Sequence, residues 1–277
     1  MKMAECNHDC ANCASNCDER TEPQSFLVPQ NSKSNIKNVI AVVSGKGGVG
    51  KSLVTSLLAS GAARRGFKTA ILDADITGPS IPKALGLKDK VTGDEEGMYP
   101  VTSSLGIKVM SLNLLLDDDT TPVVWRSPII TSSITQFWSD TVWGDVDYMF
   151  VDMPPGTGDV PLTVFQSLPV TGIVIVTTPQ DLVEMIVTKA VRMAGLLNIS
   201  VLALVENMSY LECPDCGRKI PVFGESHVEE TAERLGIDTC ARIPIDSDLS
   251  RASDEGLIEH YLGSFLDGVL DKIGATR

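Results

Sequence analysis

The sequence predicts a doubly wound α/β domain around a mostly parallel sheet, preceded by a flexible cysteine-rich tail. Three observations predict it. From Asn38 onward, short runs rich in Val, Ile and Leu alternate with stretches of helical periodicity, the pattern of a parallel sheet with helices on both faces. Several runs are continuously apolar rather than alternating, as strands covered on both sides are. A glycine-rich loop, Ser44-Gly45-Lys46-Gly47-Gly48-Val49-Gly50-Lys51-Ser52, separates the first apolar run from the first helical stretch, where such folds bind phosphate. At 277 residues, 43% hydrophobic and 21% charged, the chain can build one large domain with a well-buried core.

The elements follow in order. Residues 1–36 hold almost no apolar side chains besides Phe26-Leu27-Val28 and read as a disordered tail, leaving 37–277 as the domain. Val39-Ile40-Ala41-Val42-Val43 heads a strand over 39–44, and Leu53 to Ala59 begins a helix over 51–65. Further strands are expected at 68–73, 107–112, 147–152, 172–178, 199–206 and 239–244. Helices are expected at 128–140, 160–167, 181–196 and 226–235. A last helix over 257–273 would align Ile258, Tyr261, Leu262, Phe265, Leu266, Val269, Leu270 and Ile273 on one stripe. Its opposite face carries Glu259, Asp267 and Asp271, which suits packing on the sheet better than binding a membrane.

Charge excludes some functions. A net charge of −13 disfavours a broad nucleic-acid surface and an anionic membrane surface. No apolar leader segment and no 18-residue apolar run occur in the sequence, so a cytoplasmic protein is expected.

The frame Gly45-x4-Gly50-Lys51-Ser52 is a P-loop. Its glycines (Gly45, Gly47, Gly48 and Gly50) let backbone N–H groups, Val49 among them, turn toward phosphate. Lys51 neutralises the β/γ oxygens, and Ser52 offers a hydroxyl to Mg²⁺. Lys46 is a second lysine where one suffices, which suggests a different task. Asp73 and Asp75 end the second strand, at the edge where α/β sheets bind ligands. Asp75 is placed to orient or deprotonate an attacking water, and Asp73 to support the metal shell. Asp147-Tyr148-Met149-Phe150-Val151-Asp152 is an apolar strand ending in an acid, so Asp152 is expected to reach Mg²⁺. In the turn that follows, Pro155 fixes the backbone and Gly156 leaves an N–H for a γ-phosphate, a natural switch. Asn207, after another strand, offers an amide to a purine edge. The Asn-Lys-x-Asp element of guanine-specific proteins is missing, so adenine, and hence ATP, is favoured.

Seven cysteines are clumped, which points to metal ligation rather than disulfides. Cys213-Pro214-Asp215-Cys216-Gly217 is a tight knuckle offering two thiolates. A redox dithiol, half of a zinc site and half of an iron–sulfur site all fit it. Two copies across a twofold axis would supply four thiolates for a [4Fe–4S] cluster. Cys6, Cys10, Cys13 and Cys17 place four thiols in the tail, enough for one iron–sulfur or zinc centre, with His8 as a spare ligand. Cys240 reads as a small buried apolar residue.

Taken together, these motifs resemble a known family. Lys46-Gly47-Gly48-Val49-Gly50-Lys51-Ser52 is similar to the deviant Walker A loop of the MinD/ParA/nitrogenase-iron-protein class of P-loop NTPases. The stretch from Asp73 to Pro82 resembles the Mrp/ApbC branch of iron–sulfur cluster carrier ATPases within it. So do Trp125-Arg126, the stretch from Asp152 to Asp159, Thr177-Thr178-Pro179-Gln180, Glu206-Asn207-Met208-Ser209 and the Cys213/Cys216 knuckle. The resemblance covers residues 37–277. It implies a cytosolic homodimeric ATPase that carries a [4Fe–4S] cluster to apoproteins. It also implies that Lys46 reaches the partner's nucleotide and that Cys213 and Cys216 bridge the cluster between subunits. The tail cysteines look like the extra cluster site of the cytosolic scaffold members, at a more compact spacing. Ser127, and Ser226-His227, stand where the family tends to have glycine. Two rival activities share these motifs: an ATP-driven electron-transfer protein that retains its cluster, and a ParA/MinD-like positioning ATPase. The latter needs a basic face or a basic amphipathic tail, which this acidic chain does not offer.

Overall fold

The apolar run before the glycine loop becomes the central strand of an eight-stranded sheet. The structure, a computed structural model, describes residues 26–75, 80–116, 127–156, 158–180 and 183–275. The first half of the chain comprises β1 (Asn35–Ser44), α1 (Lys51–Arg64), β2 (Thr69–Asp73), α2 (Ser80–Ala84), β3 (Thr92–Asp94), β4 (Gly97–Tyr99), β5 (Val101–Thr102), β6 (Lys108–Met110) and α3 (Ser127–Ser139). The second comprises β7 (Asp145–Asp152), α4 (Asp159–Ser167), β8 (Gly172–Thr177), α5 (Val183–Leu196), β9 (Val201–Glu206), β10 (Leu211–Glu212), β11 (Lys219–Ile220), α6 (Val228–Leu235), β12 (Cys240–Arg242), α7 (Ser247–Asp254) and α8 (Asp267–Lys272). The sheet order is β12-β9-β8-β1-β7-β2-β6-β5. Only the edge strand β5 runs antiparallel. The pairs β3–β4 and β10–β11 form separate two-stranded ribbons.

Strand residues alternate between two cores, as the period-2 pleat requires. Ile40, Val42, Ile71 and Phe150 face one cluster with Val54 and Leu58 of α1, Ile81 of α2, Leu249 of α7 and Val269 of α8. Val39, Ala41, Val43, Leu72 and Val151 face the other, with Trp138 of α3, Phe165 of α4, Val187 of α5 and Ala232 of α6. Each large aliphatic side chain buried this way contributes about 1.5–3 kcal/mol. The sheet is therefore covered on both sides, which explains the continuous apolar runs.

The same topology places the site. β1 pairs with β7 on one side and β8 on the other. The chain runs from β1 to β2 beyond β7 and later crosses from β7 to β8, so the direction of winding reverses beside the glycine loop. That reversal opens a crevice at the carboxyl ends of the strands. Register brings Val42 and Asp73 both opposite Asp152. Two carboxylates from separate sequence motifs are thus lateral neighbours on adjacent strands.

Two expectations are revised. Residues 26–34 are not a free tail, and the expected boundary after residue 36 falls inside β1. Val28 donates its N–H to the Ser167 carbonyl at 2.8 Å, and its own carbonyl accepts from Trp138 Nε1 at 2.8 Å. The four tail cysteines lie outside the described residues. The expected helix at 257–273 is one 3₁₀ turn (Ile258–His260), an extended stretch, and the short α8. Polar capture breaks it. The Glu259 carboxylate accepts from the hydroxyls of Ser103, at 2.5 Å, and Ser104, and is only 4% exposed. Tyr261 donates to Asp246 Oδ2 at 2.6 Å, and Leu262, assigned to the apolar stripe, is 81% exposed.

Candidate phosphate site and cysteine hairpin

The glycine loop closes onto α1 through Gly50, whose φ is +82°. A Cβ there would lie 2.1 Å from Asn207 Nδ2, so glycine is required twice over, by conformation and by space. A Cβ on Gly47 or Gly48 would meet nothing within 4 Å. This open space belongs to a cleft of about 390 Å³, lined among others by Ser44, Lys46, Lys51, Asp75, Pro155 and Ser253.

Lys51 begins α1 and is 5% exposed. Its Nζ lies 2.7 Å from Asp152 Oδ2 and 3.5 Å from Asp75 Oδ2. Ser52 Oγ donates to the same Asp152 Oδ2 at 2.6 Å. Asp73 accepts from Ser111 Oγ at 2.8 Å and from the Asp75 N–H at 3.1 Å. Burial, then the Asp152 carboxylate opposite it, pushes the Asp73 carboxyl well above the usual range. The structure therefore brings Lys51, Ser52, Asp73, Asp75 and Asp152 to one place. Gly156, at φ +94°, does not leave its N–H free as expected. It donates to the Ser44 carbonyl at 2.8 Å, which ties the turn after β7 to the start of the loop, so a γ-phosphate would have to displace that bond.

These oxygens suit a hard cation: one hydroxyl and the carboxylates around it share a single ammonium. Among the described residues, no three His, Cys, Asp or Glu side chains could hold a metal ion alone. A Mg²⁺ here would draw its remaining ligands from phosphate and water, as that ion commonly does.

Asn207 takes a position different from the one expected. It is 2% exposed and its Nδ2 donates to the Val49 carbonyl at 2.9 Å, so its amide grips the glycine loop itself. Lys46 Nζ donates to Gln180 Oε1 of its own chain. Three further residues join the site. Thr55 Oγ1 donates to Asp152 Oδ1 at 2.7 Å; its spacing from Lys51 and Ser52 puts it on their helix face, a signal open to sequence reading. Ser111 carries no comparable signal, since only folding brings it near Asp73; Gln180 stands in the Thr177–Gln180 motif, but nothing in the sequence pairs it with Lys46.

The cysteine knuckle forms the turn of the β10–β11 ribbon. Cys213 N–H donates to the Arg218 carbonyl at 3.0 Å and Gly217 N–H to the Cys213 carbonyl at 2.9 Å. The N–H of Asp215, then that of Cys216 and its thiol, hold the Cys213 thiol below its ordinary range. Tyr210 roots the ribbon: Lys219 Nζ sits 4.3 Å from its ring and the Arg242 guanidinium 5.5 Å, at distances suited to cation–π attraction. Cys240 is only half-buried, and burial pushes its thiol up.

A family model described as ParA, a NUBPL iron-transfer P-loop NTPase, matches residues 35–266. The chain belongs to this family. An iron–sulfur cluster carrier protein of Clostridium perfringens is 50% identical over 236 residues, covering 82% of this chain and 83% of the relative. A protein of the same name from Methanocaldococcus jannaschii is 44% identical over 262 residues, 92% of this chain and 90% of its own. A solved nucleotide-binding protein from Archaeoglobus fulgidus, in complex with ADP, aligns with a TM-score of 0.76 at 47% identity, covering 84% of this chain and 91% of that one. The septum site-determining protein MinD of Pyrococcus horikoshii, at 18% identity and TM-score 0.56, covers 85% of this chain and 94% of its own, and shares the fold. No helix among the described residues is long and apolar enough to cross a membrane.

Proposed function

We propose that this chain is an ATP-dependent iron–sulfur cluster carrier, working as a homodimer that holds a [4Fe–4S] cluster between two copies of the Cys213/Cys216 knuckle and passes it to apoproteins. One observation carries the reading. The knuckle stands on a projecting ribbon, offers two thiolates per chain, and is rooted a few residues beyond Asn207, which grips the P-loop. Two chains complete the four-thiolate set. The exposed apolar side chains Leu211, Ile220, Val222 and Phe223 flank the knuckle and suit contact with a second copy. The names of the relatives support the cargo, and the ADP complex of the Archaeoglobus protein supports the nucleotide.

At the phosphate site, Gly45 to Gly50 cradle the triphosphate through backbone N–H groups, and Lys51 exchanges Asp152 for β/γ oxygens. Ser52, Asp152 and Asp73 would hold Mg²⁺, which supplies charge neutralisation when bound with ATP. Asp75 orients the attacking water and takes its proton; the water oxygen bonds to the γ-phosphorus as the bond to the β–γ bridging oxygen breaks. Lys46 reaches the partner's nucleotide. Gly156 and Pro155 respond to the presence of the γ-phosphate, and this gates cluster binding or release. Cys6, Cys10, Cys13 and Cys17 are the four thiols that a second iron–sulfur or zinc centre would use.

Oxygen-free reconstitution of full-length protein, followed by iron and sulfide analysis and transfer to an apo acceptor, tests the proposal. With the four tail cysteines changed to Ala, about four irons per dimer are expected at the knuckle. Cys213→Ala/Cys216→Ala in the same background should lose them. Equal iron and undiminished transfer in that variant would overturn the assignment.

A further inference from the structure

The two lysines of the glycine loop are held in different ways. Lys51 is buried between two carboxylates, Asp152 and Asp75. Lys46 is partly exposed and rests on a neutral partner, the amide oxygen of exposed Gln180. A carboxylate partner would hold an ammonium strongly; a solvent-accessible amide holds it in place and can be given up. The Lys46 main chain is fixed independently, because its carbonyl accepts from Ser44 Oγ at 3.0 Å. Exchange of partners then needs only a side-chain rotation.

Gln180 also occupies a revealing place. It follows β8 and lines a second cleft, of about 540 Å³, shared with Thr178, Phe223, Glu225 and His227. Lys46 lines the phosphate cleft, so their contact lies between the two clefts. The far wall of the second cleft includes the loop that leaves the cysteine ribbon, and a Cβ on Gly224 would stand 3.9 Å from the Pro179 carbonyl. The stretch from Thr178 to Gln180 thus touches the glycine loop on one side and faces the ribbon's exit on the other.

We propose that Gln180 is a positioning residue that parks Lys46 within its own chain, and that Lys46 leaves it when a nucleotide-bound second copy docks. The proposal rests on Lys46 acting across the dimer. Parking keeps an unliganded chain from presenting Lys46 to a partner, and so makes docking depend on nucleotide. Gln180→Ala removes the parking place; Gln180→Glu replaces the amide with a carboxylate that holds the ammonium more firmly.

Three measurements on full-length protein test this. The first is the acylation rate of Lys46 by an N-hydroxysuccinimide ester without nucleotide, read by mass spectrometry and normalised to exposed Lys88. It should rise severalfold in Gln180→Ala and fall in Gln180→Glu. The second is the concentration at which ATP produces dimers. It should fall in Gln180→Ala and rise in Gln180→Glu, each by roughly three- to fivefold, the scale of an exposed contact. Nucleotide affinity of the isolated monomer should stay unchanged, so the shift belongs to dimerisation, and ATPase per chain at limiting protein follows it. Unchanged acylation rates, or equal shifts in the same direction for both variants, would overturn the proposal. The third measurement mixes Lys46→Ala chains with Lys51→Ala chains. Restored ATPase supports action across the dimer. No restoration would sink that reading alone, leaving the acylation result to decide whether Gln180 holds Lys46.

Discussion

Lys51 shows how much depends on single residues here. It is the buried cation beside Asp152, a pair whose side chains are 5% and 1% exposed. Removing one partner of such a pair leaves an uncompensated buried charge and costs about 3–5 kcal/mol. Lys51→Ala is therefore expected to lower the urea-unfolding free energy of the nucleotide-free protein by that amount. Adding Asp152→Asn should recover part of the loss; no recovery would mean that the charge is not the cause. Lys51, Ser52 and Asp152 were legible in the sequence because each sits at a fixed spacing from a glycine or at the end of an apolar strand. Ser111 was not, and Gln180 was legible as part of a motif but not as the partner of Lys46, since both partners lie far away along the chain and only sheet order unites them. Asn207 was legible as a site residue but not in its contact: no spacing rule foretells that its amide turns to the loop's own carbonyl.

Local competition for hydrogen bonds decides several elements. Strands and most helices were readable because burial on two faces writes itself into composition. The region after α7 was misread because apolar periodicity takes no account of a buried glutamate or a tyrosine reaching back to a helix cap. Asp246 is that cap. It accepts from the N–H groups of Asp248 and Leu249 at 2.7 and 3.2 Å and from Tyr261. Partial burial opposes its ionisation, but the Tyr261 hydroxyl and the two N–H groups outweigh it and hold the carboxyl below its usual range. A depressed carboxylate contributes stability above its unfolded-state value and loses it as pH falls through the folded-state value. Asp246→Ala should cost about 1 kcal/mol at pH 7. The difference from the unaltered protein should shrink below about pH 4, as followed by urea unfolding at each pH. A constant difference down to pH 2 would show that the cap's charge is irrelevant. Because α7 carries Ser253 to the phosphate cleft, nucleotide affinity should weaken alongside.

Across the whole molecule, the sheet's carboxyl edge gathers the phosphate chemistry, while the cysteines stand off it. The β10–β11 ribbon joins the main body through one isolated bridge, Leu211 to Ile245, and through the Tyr210 root. None of its strands enters the eight-stranded sheet. The cysteine-bearing turn is thus a separable hairpin on the body that carries the phosphate cleft. Replacing both Cys213 and Cys216 with Ser should leave the thermal unfolding midpoint within about 2 °C, as exposed substitutions do, and leave ATP affinity unchanged; a large drop in either would tie the ribbon to the core. By the same reasoning, a different turn grafted between Glu212 and Lys219 should leave the eight-stranded sheet and its phosphate cleft as they are.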